Sequence, residues 1–156
     1  MSFRIRPAER SDIPAVVELI RELADFENLP GPDDQVVQRL EEHAFATVPK
    51  CEILVAEEGP EIAGYAVYFM TYSTFRGRPS LYLEDLYVRP VSRRRGIATA
   101  FLRDLAHRTV QRDAARFEWA VLDWNTDAQK FYVSLGAKIL PEWRTCRIDG
   151  EALTNL

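Results

Sequence analysis

Along this chain, apolar and polar positions alternate or recur in an order that reads strand, two helices, three strands, helix, strand, helix and late strands. Phe3–Arg6 alternates like a short half-buried strand that stops at Pro7. Ser11 or Asp12 can cap a helix with Pro14 in its first turn, and Ile13, Val16, Val17, Ile20, Leu23 and Ala24 then line one face. After Leu29-Pro30-Gly31-Pro32, a second helix is predicted from Asp33 or Asp34 to about His43, with Val36, Val37, Leu40 and Ala44 inward. Ile53–Ala56 and Ile62–Tyr72 flank Glu58-Gly59-Pro60 as a hairpin, and Leu81–Val88 adds a third strand after a polar loop from Tyr72 to Ser80. The helix after Gly96 buries Ala100, Phe101, Leu102 and Leu105 and ends near Arg112-Asp113. Phe117–Leu122 reads as a strand buried on both faces. Asn125 or Thr126 caps a helix that stops at Gly136. Ile139-Leu140 and Trp143–Ile148 read as late strands, with a turn at Asp149-Gly150. The sum is a mixed α/β domain.

Composition narrows the class. With 156 residues, 47% hydrophobic and 28% charged, residues 1–156 fit a single globular domain with its own core. The net charge of −4 argues against a surface that coats nucleic acid, so the run Arg93-Arg94-Arg95 suits one small anion better than a duplex. Cys51 and Cys146 have no metal-like spacing, and His43 and His107 lie far apart, so no metal site is expected. The opening MSFRIRPAERSD has no apolar signal core and no run reaches membrane-spanning length, so the chain reads as cytoplasmic, with no membrane partner.

The stretch Leu81–Phe101 carries the candidate chemistry. A strand breaks at Arg89-Pro90, passes three arginines and restarts as a helix after Gly96. The first turn of a helix offers unpaired N–H groups and the positive end of its dipole. Gly96 and the small Ala98 would let a pyrophosphate approach, and any of Arg93, Arg94 and Arg95 could supply charge. A loop of solvated arginines fits the same residues. A right-handed crossover would set the strand at Phe117 parallel to Leu81–Val88, and a splay between the two would open a crevice at their C-terminal ends.

Arg93-Arg94-Arg95-Gly96-Ile97-Ala98 resembles the (Gln/Arg)-x-x-Gly-x-(Gly/Ala) signature of the GNAT superfamily of N-acetyltransferases. Tyr82–Val88, Ala120–Asn125 and Phe131-Tyr132 with Leu135-Gly136-Ala137 are similar to its diamine, spermidine and spermine branch. Leu23–Glu27 and Tyr72–Arg78 lean toward the thialysine acetyltransferases. The resemblance implies a mixed, mostly antiparallel sheet with a splayed parallel pair and flanking helices. It also implies acetyl-CoA as donor, a small primary amine as acceptor and a homodimer. Arg93, Arg94, Arg95, Gly96, Ile97, Ala98 and Thr99 would hold the CoA pyrophosphate. The backbone of Leu86, Tyr87 and Val88 would run beside the pantetheine arm, and Asn125, Ala128 and Tyr132 would lie toward the acetyl end.

An alkyl ammonium with a pKa of about 10 must lose a proton before its nitrogen attacks a thioester. The resemblance assigns that base to Glu84 and the acid that protonates the leaving thiolate to Tyr132. A surface glutamate and a packed helix tyrosine are the plain alternatives. Asp85 is assigned to the substrate ammonium; neighbours on a strand point to opposite faces, so Glu84 and Asp85 share a side only if a bulge re-aims one of them. Asp25, Glu27 and Asp85 could make an acidic mouth for a cationic substrate, with Phe26 and Phe75 as walls or cation–π partners, although on the residues alone Asp25 and Glu27 read as solvated helix-end charges. Polyamine enzymes usually have an acid near position 73 and a tryptophan near 75. Ser73 and Phe75 here favour a shorter, lysine-like amine. Acetylation of a protein lysine or N-terminus, and acyl-CoA binding without catalysis, remain open.

Overall fold

The computed structural model describes residues 2–156, and the chain divides into two compact units, Met1–Ala120 and Val121–Leu156.

In the first unit, strands β1 (Arg4–Pro7), β2 (Glu52–Glu58), β3 (Glu61–Ser73), β4 (Arg78–Val88) and β5 (Phe117–Trp119) form one sheet in chain order. All neighbours are antiparallel except β4 and β5. Helices α1 (Ile13–Phe26), α2 (Asp34–Ala44) and α3 (Ile97–Gln111) complete the unit. The two central strands carry apolar residues at consecutive positions because both faces are covered. Ile53, Val55, Tyr65, Val67 and Tyr87 pack with Ile13, Val16, Val17 and Leu19 of α1, and Val37, Leu40 and Ala44 of α2 border that cluster. Leu19 belongs to it although it lies off the helical stripe read from sequence, whereas Val36, expected inward, is exposed. On the other face α3 buries Ile97, Phe101, Leu102 and Leu105. Its far end is fastened to the sheet by Arg112, which donates two hydrogen bonds to Glu52 at 2.6 and 2.8 Å, while Glu52 accepts a third from Tyr68 Oη at 3.2 Å.

Gly64 lies opposite Val88, so close that a Cβ there would stand 2.6 Å from the Tyr87 carbonyl oxygen. Only the absence of a side chain lets β4 approach at this point.

The polar loop expected over Tyr72–Ser80 is shorter than its composition suggested. β3 and β4 stay paired out to Ser73 and Arg78, and residues 74–77 make the turn, with Gly77 at φ +61°.

The β3–β4 ladder shifts register once. Val67 faces Asp85 and Tyr68 faces Leu83, leaving Glu84 as an extra residue in β4. This is a β-bulge, and it changes where the backbone points. The Leu81 N–H donates to Arg116 O on the β5 side at 2.9 Å, whereas the Arg89 N–H donates to Ala63 O on the β3 side at 2.9 Å. In a regular strand two odd-numbered residues would face the same way. The bulge reverses the alternation, so the parallel ladder ends at Leu83 and Trp119. The strand expected over Phe117–Leu122 is accordingly three residues long and half-buried on both faces rather than sealed.

The second unit holds α4 (Thr126–Ser134) and α5 (Gly150–Thr154). Asn125 caps α4, accepting from Ala128 N at 3.3 Å, and Gly136 ends it at φ +96°. The late strands expected at Ile139-Leu140 and Trp143–Ile148 do not form. Those residues have apolar content suited to strands but no ladder partner, and Ile139, Leu140, Trp143 and Ile148 are exposed. The expected turn at Asp149-Gly150 is instead the start of α5. No helix among the described residues is long and apolar enough to cross a membrane.

Candidate functional site

The arginine turn is shaped by its own side chains. Arg93 donates to Val88 O at 2.8 Å and lies over the Tyr87 ring, 5.5 Å from its centre. Arg95 turns the other way, pairing with the buried carboxylate of Glu58 and donating to Val91 O at 2.8 Å. The second Glu58 oxygen accepts from Ser92 Oγ at 2.9 Å. These bonds tie the turn to the end of β2. Arg94, held at φ +60°, is exposed and makes no hydrogen bond or ion pair with the described residues. Of the three arginines it is the one available to an incoming anion.

Gly96 stands at the N-cap of α3 with φ +84°, a left-handed conformation that costs a residue with a side chain about 1 kcal/mol. No side chain caps this helix and no acid lies in its first turn. Ala100 N–H bonds back to Gly96 O at 2.9 Å as the first α-helical link, so the N–H groups of Ile97, Ala98 and Thr99 precede the ladder. An uncapped N-terminus beside a free arginine can receive a phosphate.

The β4 edge continues from that turn. Because the bulge reverses the alternation, the N–H and C=O of Leu86 and Val88 point away from β3, beyond the end of β5. Val88 O is taken by Arg93, which leaves Leu86 N–H, Leu86 O and Val88 N–H as strand-edge groups. An extended ligand arm can pair with groups of this kind.

The acidic residues gather on the α1 face. Asp85 is half-buried, and its Oδ2 accepts from Tyr65 Oη at 3.1 Å. Burial raises its pKa to about 6; the Tyr65 hydrogen bond opposes that rise, and the charges of Glu84 and Glu27 add to it. Glu27, just past the end of α1, is therefore close enough to be felt by Asp85. Glu84 is exposed. The same helix supplies Glu22, which accepts from Tyr87 Oη at 3.0 Å and Arg89 Nε at 3.2 Å. Glu27, Glu84 and Asp85 are thus brought together. Phe26 is exposed at the end of α1. Phe75 is fully exposed in the β3–β4 turn. Seven strand positions separate Asp85 from Arg78 at the start of β4, a distance on the order of 20 Å, so Phe75 does not wall this acidic group within the unit.

In the second unit, Asn125 spends its side-chain oxygen on the cap to Ala128. Tyr132 lies on α4 with its ring 5.5 Å from that of Phe131, and burial pushes its phenol above the ordinary value. It therefore keeps its proton at neutral pH.

Tyr65, Glu58 and Ser92 have no signal in the sequence that marks them as part of a site. Tyr65 reads as one more core residue of a strand, and the Glu58–Arg95 pair joins residues 37 positions apart with no local pattern to reveal it. The Glu84 bulge has no local signature either.

Residues 16–137 match the acetyltransferase (GNAT) family. A thialysine N-epsilon-acetyltransferase of Mus musculus is 38% identical over 166 residues, covering 99% of this chain and 97% of its own length. An L-ornithine N5-acetyltransferase of Arabidopsis thaliana is 38% identical over 92 residues, 59% of this chain and 40% of its own. Among solved structures, an integron cassette protein of V. cholerae superposes with a TM-score of 0.82 at 23% identity, covering 99% of this chain and 97% of that one, a likeness of fold. With the arginine turn leading into an uncapped helix and the family match spanning most of the sequence, this chain belongs to the GNAT family and is an acetyl-CoA-dependent N-acetyltransferase.

Proposed function

We propose that the chain acetylates the primary amine of a small cationic substrate, a thialysine- or lysine-like amino acid, by direct attack on acetyl-CoA in a ternary complex, and that residues 1–156 act as one catalytic domain. The observation that carries the acceptor class is Asp85, a half-buried carboxyl beside Glu27 and Glu84, which suits one ammonium better than a neutral group. Names of relatives acting on thialysine and ornithine support the same size of substrate.

Arg94 and the N–H groups of Ile97, Ala98 and Thr99 receive the CoA pyrophosphate, with Arg93 and Arg95 holding the turn in shape. Leu86 and Val88 pair with the pantetheine arm, and Asn125, Ala128 and Tyr132 serve the acetyl end. Asp85 and Glu27 receive the ammonium, and Glu84 takes its first proton, directly or through water. The nitrogen then attacks the thioester carbonyl carbon and the C–S bond breaks with its electron pair on sulfur. Tyr132 hydrogen-bonds that developing thiolate and protonates it; the second proton lost by nitrogen restores the phenol. The products are the amide, CoA thiol and one proton released through Glu84.

CoA release measured over thialysine, lysine, ornithine, putrescine, spermidine, spermine and a lysine peptide tests this assignment. A short lysine-like amine should give the highest kcat/KM. Spermidine or the peptide far ahead of the amino acids would replace the acceptor class, and acetyl-CoA binding without turnover on any of them would replace catalysis with a regulatory role.

We also propose a homodimer. The exposed Ile139, Leu140, Trp143 and Ile148 supply apolar surface of the kind a second copy covers. Light scattering should give twice the chain mass, and a monomer at micromolar concentration would refute it.

A further inference from the structure

Asp85 is held by a hydrogen bond from a core residue of the neighbouring strand. Tyr65 is completely buried in β3, packed in the cluster formed by α1 and the sheet. Its ring therefore has one position, and its hydroxyl emerges at a single point, 3.1 Å from Asp85 Oδ2. Oδ1 accepts no hydrogen bond from the described residues and is not among the polar atoms sealed from solvent. The two oxygens of one carboxylate are thus made unequal by a neighbour.

Building on the amine-acetyltransferase reading above, we infer that Tyr65 is a positioning residue for the acceptor: its hydroxyl occupies Asp85 Oδ2, locks the carboxylate plane, and reserves Oδ1 for the substrate ammonium. The other groups around Asp85 cannot do this. Glu84 on β4 and Glu27 at the end of α1 carry the same charge as Asp85, and the Tyr87 hydroxyl is turned to Glu22. Tyr65 is the one donor facing the carboxylate among them. It also favours the charged form of Asp85, against the effects of burial and of both glutamates. Tyr65 therefore sets how far down the pH scale Asp85 can still hold a cation.

Tyr65→Phe keeps the packed ring and removes only the donor. Loss of one such hydrogen bond should move the Asp85 titration, and with it the acidic limb of amine kcat/KM, upward by about 0.5–1 pH unit. At pH 6 to 6.5 the amine KM should rise several-fold, while kcat at high pH and the acetyl-CoA KM stay close to those of the parent. A merely structural role would lower all of these together and leave the limb in place. The same shift should appear in the 13C NMR titration of the Asp85 carboxyl in the free protein, assigned with Asp85→Asn. That signal needs no turnover, so it decides the role of Tyr65 even if the acceptor reading fails. A carboxyl titration unchanged in Tyr65→Phe overturns the inference. So does a shifted titration with an unshifted activity limb.

Discussion

Tyr132→Phe is expected to lower kcat by about 100-fold with every accepted amine while acetyl-CoA binding, followed by calorimetry, changes less than about twofold. The size follows from the role proposed for the hydroxyl. Loss of a positioned acid typically costs 10²–10⁴-fold, and 100-fold corresponds to about 2.7 kcal/mol of transition-state stabilisation. Burial pushes the Tyr132 phenol above its ordinary value, so it is protonated throughout the neutral range. A phenol at or above about 10 is a weaker acid than a thiol near 8.5. In the proposed mechanism Tyr132 therefore begins as a hydrogen-bond donor to the charge growing on sulfur, and proton transfer is completed as the nitrogen releases its second proton. An effect confined to the transition state should lower kcat and kcat/KM equally. A variant within threefold of the parent kcat would remove Tyr132 from the chemistry. A matching loss of acetyl-CoA affinity would recast it as a binding residue.

How much of the fold and the site is legible in the sequence depends on the range of the interactions involved. The helices α1, α3 and α4 are readable because period and caps are local: apolar residues at helical spacing, Asn125 before α4 and Gly136 after it. The turn around Gly96 is readable for the same reason, since strand, glycine and helix lie within a few residues of one another. Its internal wiring is not. Three adjacent arginines look alike in a sequence, yet one bonds Val88 O, one reaches the buried Glu58, and only Arg94 is left over. The Glu84 bulge is unreadable because strand alternation is a local pattern and a register shift is a property of two strands. The sequence identifies a bulge only as the condition under which Glu84 and Asp85 could share a side. The late strands fail in the opposite sense: Ile139, Leu140 and Trp143–Ile148 have strand-like composition, but a strand exists only where another pairs with it.

Asp85→Asn should raise the amine KM by roughly 10- to 100-fold at pH 7.5, the loss of a hydrogen bond to a charged group worth about 1.5–3 kcal/mol, with a smaller change in kcat. The amide preserves the shape of the side chain and can still accept from Tyr65, so the variant removes charge and little else. In the parent enzyme, with the Asp85 pKa near 6, amine kcat/KM should fall as pH drops through that value, and this limb should vanish in the variant. Stability should respond in the other direction. Folding raises this carboxyl above its unfolded value, so any contribution it makes is present below about 3.8 and is lost as pH rises through about 6. At pH 7.5 the ionised group opposes folding, and Asp85→Asn should unfold at the same temperature or higher. A damaged core predicts the reverse, weaker activity together with a lower midpoint. Unchanged amine KM would dismiss Asp85 from acceptor binding, and a kcat loss exceeding the KM rise would make Asp85, in place of Glu84, the group that accepts the proton. The expected pairing of lost affinity with retained stability is that of a charge kept half-buried, at some cost to the fold, because the substrate supplies its counterion.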